Sequence, residues 1–121
     1  MTDKNSLEDC TSSPNCVSST SDSQKHNIAP ISYNGSTEHA YDTLLQVLSN
    51  MKVTDIVEKE ENYIHAECKS KWLNLTDDLE FLIHERNKII DVRSASRTGV
   101  PDFGANRKRV EQIRQKFIQK V

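Results

Sequence analysis

Apolar residues recur at helical spacing between residues 37 and 50, whereas shorter segments on either side have the composition of strands. Tyr41, Leu44 and Leu48 form one apolar stripe, which predicts a first helix over about 37–50. Ser36 or Thr37 can accept hydrogen bonds from the free N–H groups of its first turn. The short run before it, about 28–33, predicts a strand or an extended segment.

Two pairs of β-rich segments follow this helix. Runs at about 52–58 and 63–69 are separated by the charged residues "KEEN", which predicts a hairpin. A two-residue turn at 86–87 predicts a second hairpin, whose strands carry alternating apolar and polar residues.

The turn at 86–87 fixes the register of the second hairpin. It sets His84 opposite Ile89 and Phe81 opposite Val92, and it places Glu80 directly across from Arg93. One face of this hairpin is then apolar. The other face carries the polar residues Asp78, Glu80, Asp91 and Arg93, together with Leu82 and Ala95.

A second helix is predicted to begin near residues 104–106. Its apolar positions, which we expect to face the core, are Val110, Ile113, Phe117 and Ile118. At about 100° per residue, Asn106, Arg107 and Arg114 lie on or beside that stripe. An inward guanidinium requires an acidic or carbonyl partner, so we expect these arginines to contact one.

These elements predict an α+β fold, with an antiparallel sheet of about four strands and two helices packed on one face. Residues 1–25 hold almost no large apolar side chains, so we expect a disordered and mobile tail. Residues 26–121 are predicted to form a single α+β domain.

Composition and charge restrict the class of protein. The 121 residues are 35% hydrophobic and 28% charged, and they hold no apolar run of membrane-spanning length. No basic-then-apolar start resembles a signal peptide, so we expect a soluble cytoplasmic protein. The formal charge of −2 divides into +7 from Arg86 onward and −9 before it. Either the two halves neutralise each other across the fold, or the basic end attracts an anionic partner.

The three cysteines are Cys10, Cys16 and Cys68. The CxxxxxC spacing of the first two fits neither a zinc ligand pair nor a redox CxxC motif. Reduced thiols are therefore the expectation. A structural or incidental role is expected for Cys16, which lies in a segment without predicted regular structure.

The arginine-rich stretch at 92–111 provides the candidate site. Its basic and hydroxyl side chains could bind a phosphate or carboxylate together with the free N–H groups of the second helix. The predicted ligand-binding residues are Arg93, Ser94, Ser96, Arg97, Asn106, Arg107 and Arg109. Carboxylates are expected to orient them, namely Asp77, Asp78, Glu80 and Asp102. In a purely structural alternative, Arg93 pairs with Glu80, Arg97 with Asp77 or Asp78, and Arg107 fastens the second helix to the sheet.

The residues between the last strand and the second helix suggest one fixed connection. Gly99 and Gly104 permit unusual backbone conformations, Pro101 fixes a torsion, and Asp102 can accept at the helix entrance. We expect this connection to bring Arg93 and Arg97 to Asn106 and Arg107. At least two of the three arginines should then lie within hydrogen-bond distance, about 2.7–3.2 Å, of a carboxylate of Asp77, Asp78, Glu80 or Asp102.

For function, the sequence favours a non-enzymatic domain that binds an unknown anionic small molecule or an acidic group of a partner protein. The alternative is a hydrolase or transferase that acts on a phosphorylated or acyl substrate with Asp78 and Glu80. No Gly-x-Ser-x-Gly, Walker or dinucleotide motif is present, so neither a catalytic residue nor a cofactor is predicted. Glu80 and His84 are about 13 Å apart along a strand, which does not favour a metal site. The acidic net charge makes nucleic acid an improbable partner.

Three stretches, "PNCVSS", "DDLEF" and "VRSASRTGVPDFGANRKRVE", resemble the domain-of-unknown-function family 1499. The resemblance runs from Pro14 to about Phe117, and its long last motif, which is highly specific, extends from Asp77 to Arg109. It marks residues without assigning them a reaction, and its first motif implies that residues 14–19 dock against the domain. Relatives in this family look membrane-associated or exported.

Overall fold

The computed structural model describes residues 6–10, 15–51, 54–69, 75–98 and 104–120. Within these ranges the chain forms strands and two helices. In chain order they are β1 (Cys16–Ser18), β2 (Ile31–Ser32), α1 (Thr37–Ser49), β3 (Thr54–Lys59), β4 (Tyr63–Lys69), β5 (Thr76–His84), β6 (Ile89–Ser96) and α2 (Ala105–Lys120).

The strands form one antiparallel sheet with the order β1-β6-β5-β4-β3, and β2 also pairs with β6. The fold is therefore α+β with six described strands, and the prediction of about four strands is too low. Both additional strands lie beside β6. β1, of three residues, is too short to show the alternation that predicts a strand from sequence, whereas β2 lies within the segment at 28–33 that is predicted as a strand or extended.

The predicted register of the second hairpin is confirmed. Phe81 lies opposite Val92, Glu80 opposite Arg93 and His84 opposite Ile89. The chain reverses over residues 85–88, where Lys88 has a φ of 56°. Because side chains alternate between the two faces of a strand, this register assigns each residue of β5 and β6 to a face.

Helix α1 begins where the sequence predicts. The Ser36 hydroxyl accepts a hydrogen bond from the His39 backbone N–H at 3.0 Å and caps the first turn. Along the helix Ala40, Leu44 and Leu48 have no exposed surface. This apolar stripe provides one part of the core.

Helix α2 follows Gly104, whose φ of +83° favours glycine. Val110, Ile113 and Phe117 are buried as predicted, but the prediction for Ile118 is wrong because its side chain is 54% exposed. Ile118 lies about 100° around the helix from Phe117, at the margin of the stripe.

The inward-facing arginines of α2 contact backbone carbonyls, as the sequence predicts. Arg107 Nη1 donates to the Asn27 carbonyl at 2.9 Å, and Arg114 Nη1 donates to the Pro30 carbonyl at 2.7 Å. Both bonds fasten α2 to the segment that precedes α1.

One core cluster joins the buried residues of both helices with alternate residues of the sheet. The sheet contributes Ile64 and Ala66 from β4, Leu79 and Phe81 from β5, and Val92 from β6. Over the described ranges, no helix has the length and apolar character needed to cross a membrane.

A second, smaller cluster consists of Leu7, Tyr63 and Leu82. Leu82 alternates with Leu79, Phe81 and Ile83 of the main core and therefore lies on the other face of the sheet. It is nevertheless fully buried. The N-terminal residue Leu7 thus covers part of this other face.

The predictions for the N-terminal segment require two corrections. Cys16–Ser18 forms β1 against β6, so the prediction that this part of the tail lacks regular structure is wrong. The expectation of reduced thiols is also wrong for two of the three cysteines, since Cys10 and Cys16 form a disulfide. The strand holds Cys16 in place, and the two Cα atoms lie 5.7 Å apart, within bonding reach. Cys68 is a buried free thiol.

Candidate functional site

The predicted arginine cluster is divided between the two faces of the sheet. Ser94 and Ser96 of β6 point toward α2, whereas Arg93 points to the opposite face, and Arg97 donates to carboxylates on that face. The prediction that Arg93 and Arg97 meet Asn106 and Arg107 is therefore wrong. Neighbouring residues of a strand point to opposite sides, so one strand cannot direct residues 93–97 to a single site.

We call the residues between β5, β6 and α2 the helix-side cluster; they are Asp77, Ser94, Ser96, Asn106 and Arg109. Asn106 is its centre and is 1% exposed. Its Oδ1 accepts from Ser94 Oγ at 2.5 Å, and its Nδ2 donates to Ser96 Oγ at 3.0 Å.

The helix-side cluster also holds an ion pair and a link to the N-terminal segment. Arg109 Nη1 donates to Asp77 Oδ2 at 2.6 Å and to Asn106 Oδ1 at 3.2 Å. Asn106 Nδ2 additionally donates to the Asn15 carbonyl at 3.2 Å. The amide, the hydroxyls and the ion pair satisfy one another, so this cluster fastens α2 and β1 to the sheet.

We call the opposite surface the open face; its charged residues include Glu67, Asp78, Glu80, Arg93 and Arg97. Arg97 lies just beyond β6 with its side chain 49% exposed. Its Nε and Nη2 donate to the two oxygens of Asp78 at 2.8 and 2.9 Å, and Nη2 also donates to Glu67 Oε2 at 2.5 Å. Two carboxylates thus fix the guanidinium while part of it stays in contact with solvent.

A histidine and a tyrosine of β4 complete the open face. His65 Nε2 lies 2.8 Å from Asp78 Oδ1, so this carboxylate oxygen is shared between His65 and Arg97. Tyr63 Oη donates to Glu80 Oε2 at 2.5 Å. The residues Tyr63, His65 and Glu67 alternate along β4 and therefore share one side of the strand.

Arg93 makes few hydrogen bonds for an arginine that is mostly covered. Its side chain is 18% exposed, and its contact with Glu80 Oε1 is a long one of 3.4 Å from Nη1. Among the residues that the structure describes, its buried Nε has no hydrogen-bond partner. A guanidinium has five N–H donors, so most of the capacity of Arg93 is unused.

The electrostatic environment differs among these groups. Hydrogen bonds from Arg97 lower the pKa of Asp78, and His65 adds to this effect. The same contacts with Asp78 and Glu67 raise the pKa of Arg97. Burial raises the pKa of Tyr63, and its hydrogen bond to Glu80 raises it further, so the phenol stays protonated. Asp78 and Arg97 therefore form a charged pair at neutral pH.

The ion pairs of the structural alternative are present, and they join the two oppositely charged parts of the chain. Arg93 contacts Glu80 and Arg97 contacts Asp78, as in that alternative, and Arg109 additionally contacts Asp77. Each pair links an acidic residue before Arg86 to a basic residue after it. The expectation that two of Arg93, Arg97 and Arg107 lie 2.7–3.2 Å from a carboxylate is not met within the described residues, because only Arg97 does so and the Arg93–Glu80 distance is 3.4 Å.

Some predicted residues do not join either group. Arg107 donates to the carbonyls of Asn27 and Lys25 and contacts no carboxylate in the described part of the chain. Asp102 lies outside the described residues, as do Gly99 and Pro101. In the ranges that are described, no three His, Cys, Asp or Glu side chains are grouped so that they could hold a metal ion.

The sequence prediction omitted Tyr63, His65 and Glu67 from the ligand-binding residues. The signal was available in the segment "YIHAECK", whose alternation places these three residues on the polar side of β4. Their proximity to Asp78 and Glu80 depends on the pairing of β4 with β5, which puts Glu67 opposite Asp78 and His65 opposite Glu80. Local pattern does not specify that pairing.

The sequence matches the family described as "Protein of unknown function (DUF1499)" over residues 6–117. This match covers nearly the whole chain of 121 residues, and the chain belongs to that family. No curated protein matches it. The family description names no reaction and no ligand.

Proposed function

We propose that this member of the family is a binding domain that recognises a carboxylate or phosphate group through Arg97 on its open face. The observation that carries the proposal is the state of the Arg97 side chain. It is half exposed, and Asp78 and Glu67 hold it through Nε and Nη2. The remaining nitrogen, Nη1, makes no hydrogen bond to the described residues, and it is free to donate to a ligand.

A fixed guanidinium is better suited to binding than a mobile one. An exposed arginine side chain has several rotatable bonds, and a ligand must immobilise them when it binds. The bidentate contact with Asp78 has already restricted these bonds in the free protein. The carboxylates therefore preorganise Arg97 for a ligand that approaches Nη1.

The same carboxylates restrict the kind of ligand. Glu67, Asp78 and Glu80 surround the guanidinium with negative charge, which opposes a bare anion of high charge. A ligand that carries hydrogen-bond donors beside its anionic group satisfies both Arg97 and the carboxylates. We therefore expect a monoanionic phosphate, or a carboxylate next to an amine or hydroxyl group, to be the recognised class.

Titration with inorganic phosphate tests the proposal. We expect the Nε–Hε NMR signal of Arg97 to shift as phosphate is added, and Arg97→Gln to weaken binding by about tenfold or more, which corresponds to the loss of a charge-assisted hydrogen bond. The matched control is Arg86→Gln, because Arg86 is an exposed arginine in the turn at the far end of β5 and β6. An equal loss of phosphate affinity in both variants would show that binding depends only on net charge, and it would refute the proposal.

A second candidate function is hydrolysis or group transfer on a phosphorylated or acyl substrate. The observation that favours it is the contact between His65 Nε2 and Asp78 Oδ1 beside Arg97. Asp78 orients the imidazole, Nδ1 is then the proton acceptor, and Arg97 stabilises negative charge that develops on the substrate. In this scheme His65, and not the predicted Glu80, is the proton acceptor, because Glu80 is hydrogen-bonded to Tyr63 and Arg93.

Turnover of an aryl phosphate or aryl acetate ester distinguishes the two functions. The enzymatic candidate requires turnover that is lost in His65→Gln and kept in His84→Gln. His84 is the appropriate control because it also contacts an aspartate, Asp91, at 2.8 Å on the same face. Phosphate binding without turnover would leave the binding domain as the function.

A further inference from the structure

The N-terminal residues 6–10 form a short strap over the open face. The strap is attached at two points. The disulfide joins Cys10 to Cys16 of β1, and Leu7 is 6% exposed in the cluster with Tyr63 of β4 and Leu82 of β5.

The positions of these two attachments define the path of the strap. β1 and β5 lie on either side of β6, so their axes are about 10 Å apart. Leu7 and Cys10 are three residues apart, and three extended residues span about 10 Å. Cys16 pairs with Ala95 and Leu82 pairs with Asp91, so the straight line between the two attachments runs diagonally over β6 and passes the row that contains Glu80 and Arg93.

Arg93 lies in the row that the strap crosses and is 18% exposed, whereas Arg97, on the same side of the sheet but beyond the end of β6, is 49% exposed. Glu8 and Asp9, which lie between the two attachments, are exposed and acidic. Among the described residues the buried Nε of Arg93 has no hydrogen-bond partner, so this donor remains available beside an acidic strap.

The spacing of the two arginines suits one shared anion. Asp78 and Glu80 are two residues apart on β5, about 7 Å, and they hold the guanidinium groups of Arg97 and Arg93. A tetrahedral anion that accepts charge-assisted hydrogen bonds on two sides bridges donors at about this separation.

We propose that the disulfide-anchored strap gates the anion site, so that its release adds Arg93 to Arg97 as a second ligand-binding arginine. This inference rests on the proposed function. In the disulfide form Leu7 is three residues from its anchor, and in the reduced form it is nine residues from Cys16. The longer free segment raises the entropy cost of docking Leu7, so reduction shifts the strap toward the open state.

The reductant is a dithiol, and the reaction is thiol–disulfide exchange. A thiolate of the dithiol attacks Sγ of Cys10, the more exposed of the two cysteines, and Cys16 leaves as a thiolate that takes up a proton. The second thiolate of the dithiol then attacks its own mixed-disulfide sulfur and releases Cys10, which is also protonated. The protein gains two electrons, and the dithiol becomes a disulfide.

The test compares the full chain before and after addition of dithiothreitol. We expect the nuclear Overhauser contacts between the Leu7 methyl groups and the Tyr63 ring to disappear on reduction. Inorganic phosphate should then bind on the order of tenfold more tightly, because Arg93 contributes a further charge-assisted contact. Arg93→Gln should cancel this gain in the reduced protein and have little effect in the oxidised protein.

Leu7→Ala provides a version of the test that needs no reductant. It removes the docking side chain and keeps the disulfide, so it should tighten phosphate binding in the oxidised protein. The matched control is Ser6→Ala, since Ser6 is exposed and adjacent in sequence. A phosphate affinity that Leu7→Ala leaves unchanged would overturn the gate.

The remaining outcomes separate the gate from the proposed function. Leu7–Tyr63 contacts that persist in the reduced protein would overturn the gate while Arg97 binding stands. Loss of these contacts with no phosphate binding in either redox state would refute the proposed function, and with it the role of Arg93. A gain in affinity that survives Arg93→Gln would also overturn the gate.

Discussion

The helix-side cluster and the open face are built from alternate residues of the same two strands, yet they differ in how completely their polar groups are paired. On the helix side, Asn106 is buried and bonded through both its oxygen and its nitrogen. On the open face, Arg93 makes one long contact, and Arg97 keeps part of its guanidinium in solvent. Full pairing is typical of a structural network, whereas unused donors are typical of a site for a ligand.

This difference is a consequence of burial. Asn106 beneath α2 is 1% exposed, so each atom left unpaired there carries a free-energy cost of about 1–3 kcal/mol. Around Arg97, which is 49% exposed, water can replace a missing partner, so selection for stability alone does not require complete pairing there. Substitutions on the two sides should therefore have different effects on stability and on binding.

The largest effect on stability is expected for Asn106→Ala. It removes the amide that bonds to the Ser94 and Ser96 hydroxyls and to the Asn15 carbonyl, and we expect a loss of about 3 kcal/mol in the free energy of unfolding. Urea unfolding measures it, with Gln112→Ala on the exposed side of α2 as a control expected to change stability by at most about 0.5 kcal/mol. Similar values for the two variants would contradict the structural role of the cluster.

A smaller loss, about 2 kcal/mol, is expected for Arg109→Ala. This change leaves the Asp77 carboxylate unpaired, and that side chain is only 12% exposed. Arg97→Ala removes a pair of similar geometry from the open face, where water reaches both partners, so its unfolding midpoint should move much less. Equal shifts in the two urea midpoints would show that both faces serve stability to the same extent.

The smallest effect is a change in the acid dependence of stability. Arg97 lowers the pKa of Asp78 below its ordinary value of 3.8, so the ionised carboxylate favours the folded state. This contribution is fully present above pH 3.8 and is lost as the pH falls through the lowered pKa. Asp78→Asn should therefore flatten the stability profile below pH 4, and Arg97→Gln should act in the same direction. Acid unfolding identical to that of the unmodified protein in both variants would contradict the pairing.

Local patterns predicted the parts of the fold that depend on neighbouring residues. The stripe of α1, its Ser36 cap and the register of β5 and β6 each follow from periodicity or turn chemistry over a few residues. The same alternation also separates Arg93 from Ser94. If this alternation is extended to residue 97, it assigns Arg93 and Arg97 to one face and Ser94 and Ser96 to the other, as in the structure.

Features that depend on distant pairing were missed for a physical reason. β1 is a strand only because β6 provides hydrogen-bonding partners, and its three residues carry no period. The disulfide follows from β1, because pairing with β6 fixes Cys16 beside Cys10. Leu82 is buried on the polar face only because Leu7 covers it, and nothing near Leu82 in the sequence indicates that contact.

The position of β6 has a consequence for the order in which the chain folds during synthesis. Three of the described strands, β1, β2 and β5, pair with β6. The N-terminal strands β1 and β2 therefore have no partner strand until residues 89–96 have left the ribosome. The bond from Asn106 to the Asn15 carbonyl closes a separation of 91 residues. Contacts this distant slow folding, because a long loop must close before they form. The first strand therefore does not pair with the sheet until nearly all of the domain has been synthesised. Formation of α2 then joins the N-terminal segment to the C-terminal helix.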